Sequence, residues 1–469
     1  MGANPSPGGC GVTRRGFLLG AAAGLAAGVP LGWYAFKGRQ WFDSHAPSPF
    51  TGRSVEVPHA PLGMPGPFPG RVVEVRHAGS VSADYTINDD AVRQMMTHGM
   101  RSLTGSYDVR MAWRRFFQSD DVVGIKVNPV GQRAGGQQGS ISSPQVVLEI
   151  VRCLHEHAGI PRRNIILFER YADAFRQAGY EGLLTERDMD GVRWHASSAQ
   201  YDDSQLAIDG QLPSDRDRHV VGYDPDVFVS MGFAMPGQSV RDDRRFRSHL
   251  SMLVTRMCSK IINIPCLKDH RSAGVTLALK NMSHGMNNNV CRSHTPNIYR
   301  ASGTVSGPNQ CNTFIPTAVA QRPLMEKMTL HILDGLVGVY EGGPGSWNRT
   351  WATWPARSLF FATDPVAMDH VGWDIIDAKR ALEGWAPVGH MGMIQRGPSW
   401  QLSPRQATLA AFGTMPGAAA IVLDHERRLA LHAEQFDRRQ PEHVISAGLL
   451  GLGRFAANEI DHRVVTLRA

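Results

Sequence analysis

Val122-Val123-Gly124-Ile125-Lys126-Val127, taken with the run from Pro144 to Phe168, decides the fold. The first stretch is short, apolar and β-branched, the pattern of a strand covered on both faces. Pro144 then opens a helical pattern, QVVLEIVRCLHEHAG, with Ser142 or Ser143 as cap and Gly159 as stop. Asn164 to Phe168 reads as the next strand and Tyr171 to Ala178 as a second helix. A strand–helix–strand unit of this length predicts parallel pairing through a right-handed crossover. The same grammar returns in Lys260-Ile261-Ile262-Asn263-Ile264 and in Leu330-His331-Ile332-Leu333-Asp334. It returns again in Leu359-Phe360-Phe361-Ala362, which leads into a helix over 365–378. The expected fold class is α/β: a mostly parallel sheet with flanking helices, in one unit or two α/β subdomains. Residues 200–250 are charged and read as a loop-like insertion, and one later strand is expected at Ala420 to Leu423.

The chain has 469 residues, enough for one large or two medium domains. Composition divides it into a leader or anchor (1–40), a Pro/Gly-rich tether and extension (41–105), the α/β core (106–400) and a segment completing the fold (401–469). With 49 basic and 42 acidic residues the net charge is +7, and Arg14, Arg15, Lys37 and Arg39 supply four of those charges. The remaining excess is too small to argue for a nucleic-acid partner. Thr13-Arg14-Arg15-Gly16-Phe17-Leu18-Leu19 and the Gly/Ala-rich run after it resemble a twin-arginine export signal. That resemblance implies the twin-arginine translocase as a partner, export in the folded state and an extracytoplasmic location, periplasmic or on the cell surface. The apolar run from 17 to 36 is long enough to span a bilayer, so an uncleaved leader would anchor the chain. No other segment is expected in the membrane.

None of the six cysteines has C-x-x-C spacing, so no iron–sulfur cluster or zinc ribbon is expected in this chain. Cys291 and Cys311 flank a Gly/Asn/Pro-rich loop and are either a disulfide or two buried thiols. There is no G-x-G-x-x-G after a strand, no G-x-x-x-x-G-K-[ST], no H-E-x-x-H and no G-x-S-x-G. P-loop nucleotide hydrolysis, zincin proteolysis and serine hydrolysis are therefore disfavoured.

Ligands of parallel sheets gather at the carboxyl ends of the strands. Those ends deliver Lys126 and Asn128, Glu169 and Asp173, Lys268 to His270, Asp334 and Glu341, and Asp364 and Asp369. Lys126, Glu169, Lys268, His270, Asp334 and Asp364 are expected at one edge of the sheet. Only seven of the 49 basic residues are Lys, and three of these fall between 260 and 280. Lys shifts its pKa readily and Arg does not, which makes Lys126, Lys268 and Lys280, with His270, the candidate catalytic groups. Asn128, Thr276, Asn281, Asp334 and Asp364 are candidate ligand-binding groups. Gly274 is expected to open a helix whose amides face an anion. His270, His284 and His294 are a candidate three-imidazole site for a divalent metal. The plainer alternative has Thr276 and the aspartates capping helices or binding loop amides, with Lys280 reaching solvent.

The densest segment runs through Leu267-Lys268-Asp269-His270 to Gly274-Val275-Thr276-Leu277-Ala278-Leu279-Lys280-Asn281. It resembles the domain of unknown function 362, whose members carry Leu-Lys-x-His and then Gly-Val-Thr-Leu-x-Leu-Lys-Asn. Gly124 to Asn128, Asp334 to Gly338 with Gly342 to Gly345, and Thr363 to Asp369 fit the family's other blocks in the same order, over roughly 120–380. The family implies no general activity, and this chain lacks the iron–sulfur module fused to many relatives. The expected function is an exported enzyme acting on a small anionic metabolite or through a bound metal at the strand ends. The alternatives are a non-enzymatic anion- or metal-binding protein and an accessory partner of a membrane redox complex.

Overall fold

The computed structural model describes residues 61–133, 137–212, 216–235, 237–294, 311–348, 350–385, 387–388 and 441–468. In chain order the strands begin with β1 (Arg71–His77), β2 (Val123–Lys126), β3 (Ile165–Tyr171) and β4 (Arg193–Ser198). Then come β5 (Tyr223–Ser230), β6 (Arg247–Ser251), β7 (Lys260–Asn263), β8 (Cys266–His270) and β9 (Gly274–Val275). The long β10 (Met328–Glu341), β11 (Ala352–Ala362) and β12 (Asp461–Leu467) close the series. The helices that matter here are α1 (Asp89–Thr104), α2 (Pro144–Glu156), α3 (Ala172–Gln177), α4 (Leu277–Met286), α5 (Cys311–Val319), α6 (Pro365–Leu382) and α7 (Glu442–Leu449).

Ten strands form one mixed, mostly parallel sheet in the order β12-β1-β11-β10-β7-β2-β3-β4, with β8 and β9 attached through β10. The crossover unit read from the sequence is present: β2 pairs parallel to β3 and to β7, and α2 lies between β2 and β3 in the chain. Along these strands alternate side chains enter opposite cores. Ile165 and Leu167 of β3 face one apolar cluster with α1 and α2, while Ile166 and Phe168 face the other with α4 to α7. Both faces are covered, as uninterrupted apolar strands require.

The structure departs from the sequence reading in three places. β11 is antiparallel to β10, so Asp364 leaves the sheet in the direction opposite to Lys126. Asp364 therefore does not join the other groups at the carboxyl edge. The insertion at 200–250 contains an antiparallel pair, β5 and β6, and is not only loop. The helix expected from Gly274 begins at Leu277, because Gly274 and Val275 pair with His270 and Asp269. Of the two readings left open for Cys291 and Cys311 the thiols hold, Cys311 buried and Cys291 partly so. The expected leader, residues 41–60 of the tether and extension, and the expected strand at 420–423 lie outside the described residues. Among the described residues no helix is long and apolar enough to cross a membrane.

Candidate metal centre

Parallel β2, β3 and β7 end side by side, which brings Lys126, Glu169 and Asn263 together. Lys126 Nζ donates to Glu169 Oε2, to the Val127 carbonyl at 2.6 Å and to Asn281 Oδ1 at 3.4 Å. Asn281 in turn donates to Asn263 Oδ1 at 2.7 Å. Burial pushes the Lys126 ammonium down from its ordinary value, against the pull of Glu169. A Cβ on Gly285 would lie 2.6 Å from Lys126 Nζ, so only glycine lets α4 pass over this ion pair. The pair thus seats α4 on the sheet.

The amino end of α4 is already filled. Asp369 of α6 accepts Ala278 N–H at 2.6 Å and Leu279 N–H at 3.0 Å. Those amides do not face a ligand. Thr276 donates its backbone N–H to the Lys268 carbonyl at 2.9 Å and its hydroxyl to the Asp269 carbonyl at 3.3 Å. Asp334 accepts from the amides of Ser143 and Leu336, and Asp364 from those of Gly70, Val366, Ala367 and Arg454. The Asn128 side chain accepts from the Val130 amide at 3.1 Å. Each of these polar groups is engaged with backbone, as buried polar atoms must be.

The imidazoles do converge. His270 leaves β8 two residues after Lys268, on the same face of the strand, and its ring centre lies 5.4 Å from that of His294. His284, one turn after Lys280 on α4, stands edge-on to His294 at 4.9 Å. The tightest set of ligand atoms is not the three-imidazole one. It is His284, His294 and Cys311, whose ligand atoms all lie within 4.8 Å of one another. His270 flanks the set, with Nδ1 accepting from the amides of Ser272 and Ala273. Ser293 sits in the middle, its hydroxyl 2.9 Å from His284 Nε2, 3.4 Å from His294 Nδ1 and 3.7 Å from Cys311 Sγ.

The electrostatics suit electron-pair donors. Burial, and then the charges of Lys280 and Arg170, push His294 down to about 3; burial and Lys280 also hold His284 well below its ordinary value. Burial lifts the Cys311 thiol to about 11, although Lys280 pulls it back. Both imidazoles are therefore neutral, the form that ligates metals, whereas the thiol needs a metal to take its proton. Two imidazoles and one thiol are a borderline-soft donor set that fits Zn²⁺ or a similar ion with one position open. Bonds of about 2.0–2.3 Å put ligand atoms roughly 3.3–3.8 Å apart, so the set has to close by about 1 Å. The sequence singled out Cys311 only as a possible partner of Cys291, and Arg170 not at all; no short motif links residues so far apart in the chain.

Residues 244–374 match the family model described as Domain of unknown function (DUF362). The Gly124–Asn128 block lies outside the matched residues. No curated protein matches the chain. Among solved structures, a Thermotoga maritima protein is similar at 10% identity over 82% of this chain and 88% of that one, with a TM-score of 0.29. Lys268, His270, Lys280, His284, His294 and Cys311 all fall inside the matched residues, and the match supports the domain of unknown function 362 as the family of the segment that builds the centre.

Proposed function

We propose that this chain is an enzyme working through a divalent transition-metal ion held by His284, His294 and Cys311. The carrying observation is the convergence of two neutral imidazoles and a thiol within 4.8 Å. Three protein ligands leave a fourth position for water or substrate, the arrangement of catalytic rather than structural zinc. The ion would act as a Lewis acid there. The Arg14-Arg15 leader supports export of the folded chain, and hence an extracytoplasmic site of action.

Titration of metal-free protein with Co²⁺ tests the centre. We expect one ion per chain, with a thiolate-to-cobalt absorption that disappears in Cys311→Ser. His294→Ala should weaken binding at least tenfold. Ser293→Ala should leave binding intact, because that hydroxyl is not among the ligands and gives its hydrogen to the Val290 carbonyl at 2.7 Å. Stoichiometric binding without the thiolate band, or binding unchanged in both ligand variants, overturns the assignment.

A further inference from the structure

Two cations, Lys280 and Arg170, act on the centre and a third, Lys268, acts on Lys280; none has a carboxylate hydrogen-bond or ion-pair partner among the described residues. Lys268 is completely buried in β8, and its ammonium donates to the Val130 carbonyl. Lys280 is 7% exposed, one turn before His284 on α4, and has no hydrogen-bond or ion-pair partner among the described residues. Arg170, near the end of β3, is 5% exposed; one terminal nitrogen donates to Gln205 Oε1 at 2.9 Å, the guanidinium lies over the Tyr171 ring at 4.5 Å and bonds Tyr223, and its Nε has no partner among the described residues. Gln205 also touches Cys291 Sγ at 2.7 Å, and Cys291 opens the short turn that carries His294. The chain of contacts thus leads from Arg170 to His294 and from His294 to His284 beside Lys280.

The acids nearby are engaged elsewhere. Glu169 holds Lys126 and Asp269 accepts the Gly343 amide at 2.7 Å, so both pull on Lys268 only through space and are outweighed there by burial. The sequence from 295 to 310, which joins His294 to Cys311, contains no Asp or Glu. Buried cations without counter-charge are costly, by several kcal/mol per ion after relaxation. Burial and the neighbouring positive charges accordingly bring Lys280 down to about 8. Neither a lone metal ion nor a neutral substrate would relieve this field, since a metal adds positive charge to it.

We infer that Lys268, Lys280 and Arg170 form a binding site for a small dianion, the phosphate-monoester or dicarboxylate class, beside the His284–His294–Cys311 set. The inference rests on the metal reading only in making this anion the substrate; the site itself needs no metal. The backbone amides of α4 take no part, since Asp369 occupies them.

The test is thermal unfolding of the full chain in excess chelator, at constant ionic strength set with chloride. Inorganic phosphate and malonate are the probes, and acetate is the monoanion control. We expect one dianion to raise the melting temperature saturably, with affinity at least tenfold above that of acetate. The phosphate and malonate arms decide between the two classes, and a response in either supports the site. Lys280→Met should melt higher than wild type without anion, since it removes an uncompensated charge, and should lose at least tenfold in dianion affinity. Arg170→Gln is the second variant, expected to show the same loss. His294→Ala should keep dianion binding, which separates this site from failure of the metal centre. No response of wild type to either dianion beyond acetate, or a response unchanged in both cation variants, overturns the inference.

Discussion

Glu74 of β1 accepts from Arg76 at 2.7 and 2.9 Å and from Ser358 of β11 at 2.9 Å, and its second oxygen lies 3.1 Å from His462 of β12. Burial alone would raise this carboxyl, but His462, Arg76 and Ser358 outweigh it and bring it down to about 2. A depressed folded value stabilises fully above the ordinary pKa, and that stability drains away as pH falls toward the folded one. Each tenfold change in proton affinity corresponds to about 1.4 kcal/mol, so at pH 6 wild type should exceed Glu74→Gln by up to about 3 kcal/mol. The gap should close between roughly pH 4.5 and 2 in urea titrations; a gap independent of pH would show that the ionised form is not what matters. Single residues were legible in the sequence as candidates and illegible as pairs. The scarcity of Lys picks out Lys126, Lys268 and Lys280, and the fold buries all three. Their partners are beyond any local pattern: Glu169 is 43 residues from Lys126, and Val130 is 138 from Lys268.

Among the elements, α4 is the one on which the centre depends. Its residues are buried on nearly every side, so packing rather than an amphipathic stripe holds it. Its amino end rests on Asp369 and its middle on Asn281 and Lys126. Asp369→Ala leaves two buried N–H groups unmatched and should cost about 2–4 kcal/mol in urea unfolding, since each orphan costs about 1–3 kcal/mol. A loss under about 1 kcal/mol would mean that water or a shifted helix end satisfies these amides. The sequence located α4 to within three residues through Leu277 to Asn281, yet assigned its amino end to a ligand. The donor–acceptor pairing between α4 and α6 spans 91 residues, and only the folded chain reveals that the amides are taken. Gly274 follows the same logic: φ is +79° there, and a Cβ would lie 2.7 Å from Pro441, just before α7.

At the scale of the molecule, continuous apolar strands separated by helices predicted the layered sheet, and they predicted it well where strand follows helix follows strand. Direction was legible only where a crossover intervenes. β10 and β11 are joined by a short connection that permits an antiparallel return, which is why Asp364 moves away from the carboxyl edge. The outer strand β12 is mostly exposed and carries Asp461, His462 and Arg463 along the rim, charges that discourage edge pairing between molecules. Deleting 461–469 would bare β1, with Val72, Val73 and Val75 buried on its faces. The shortened chain should keep its far-ultraviolet spectrum and self-associate with rising concentration in light scattering. A shortened chain that stays monomeric at the same concentration would show that β1 needs no guard.

β1 and β12 are registered residue for residue, Arg71 against Asp461 through His77 against Leu467. The partners stand 390 residues apart in the chain. At about 5–20 residues per second, a ribosome takes roughly 20–80 s to supply the second after the first. β1 and the residues before it therefore leave the ribosome long before the sheet can be sealed. A machine that accepts only folded cargo must wait for β12, while one that threads the chain as it grows would carry β1 away from its partner before that partner existed.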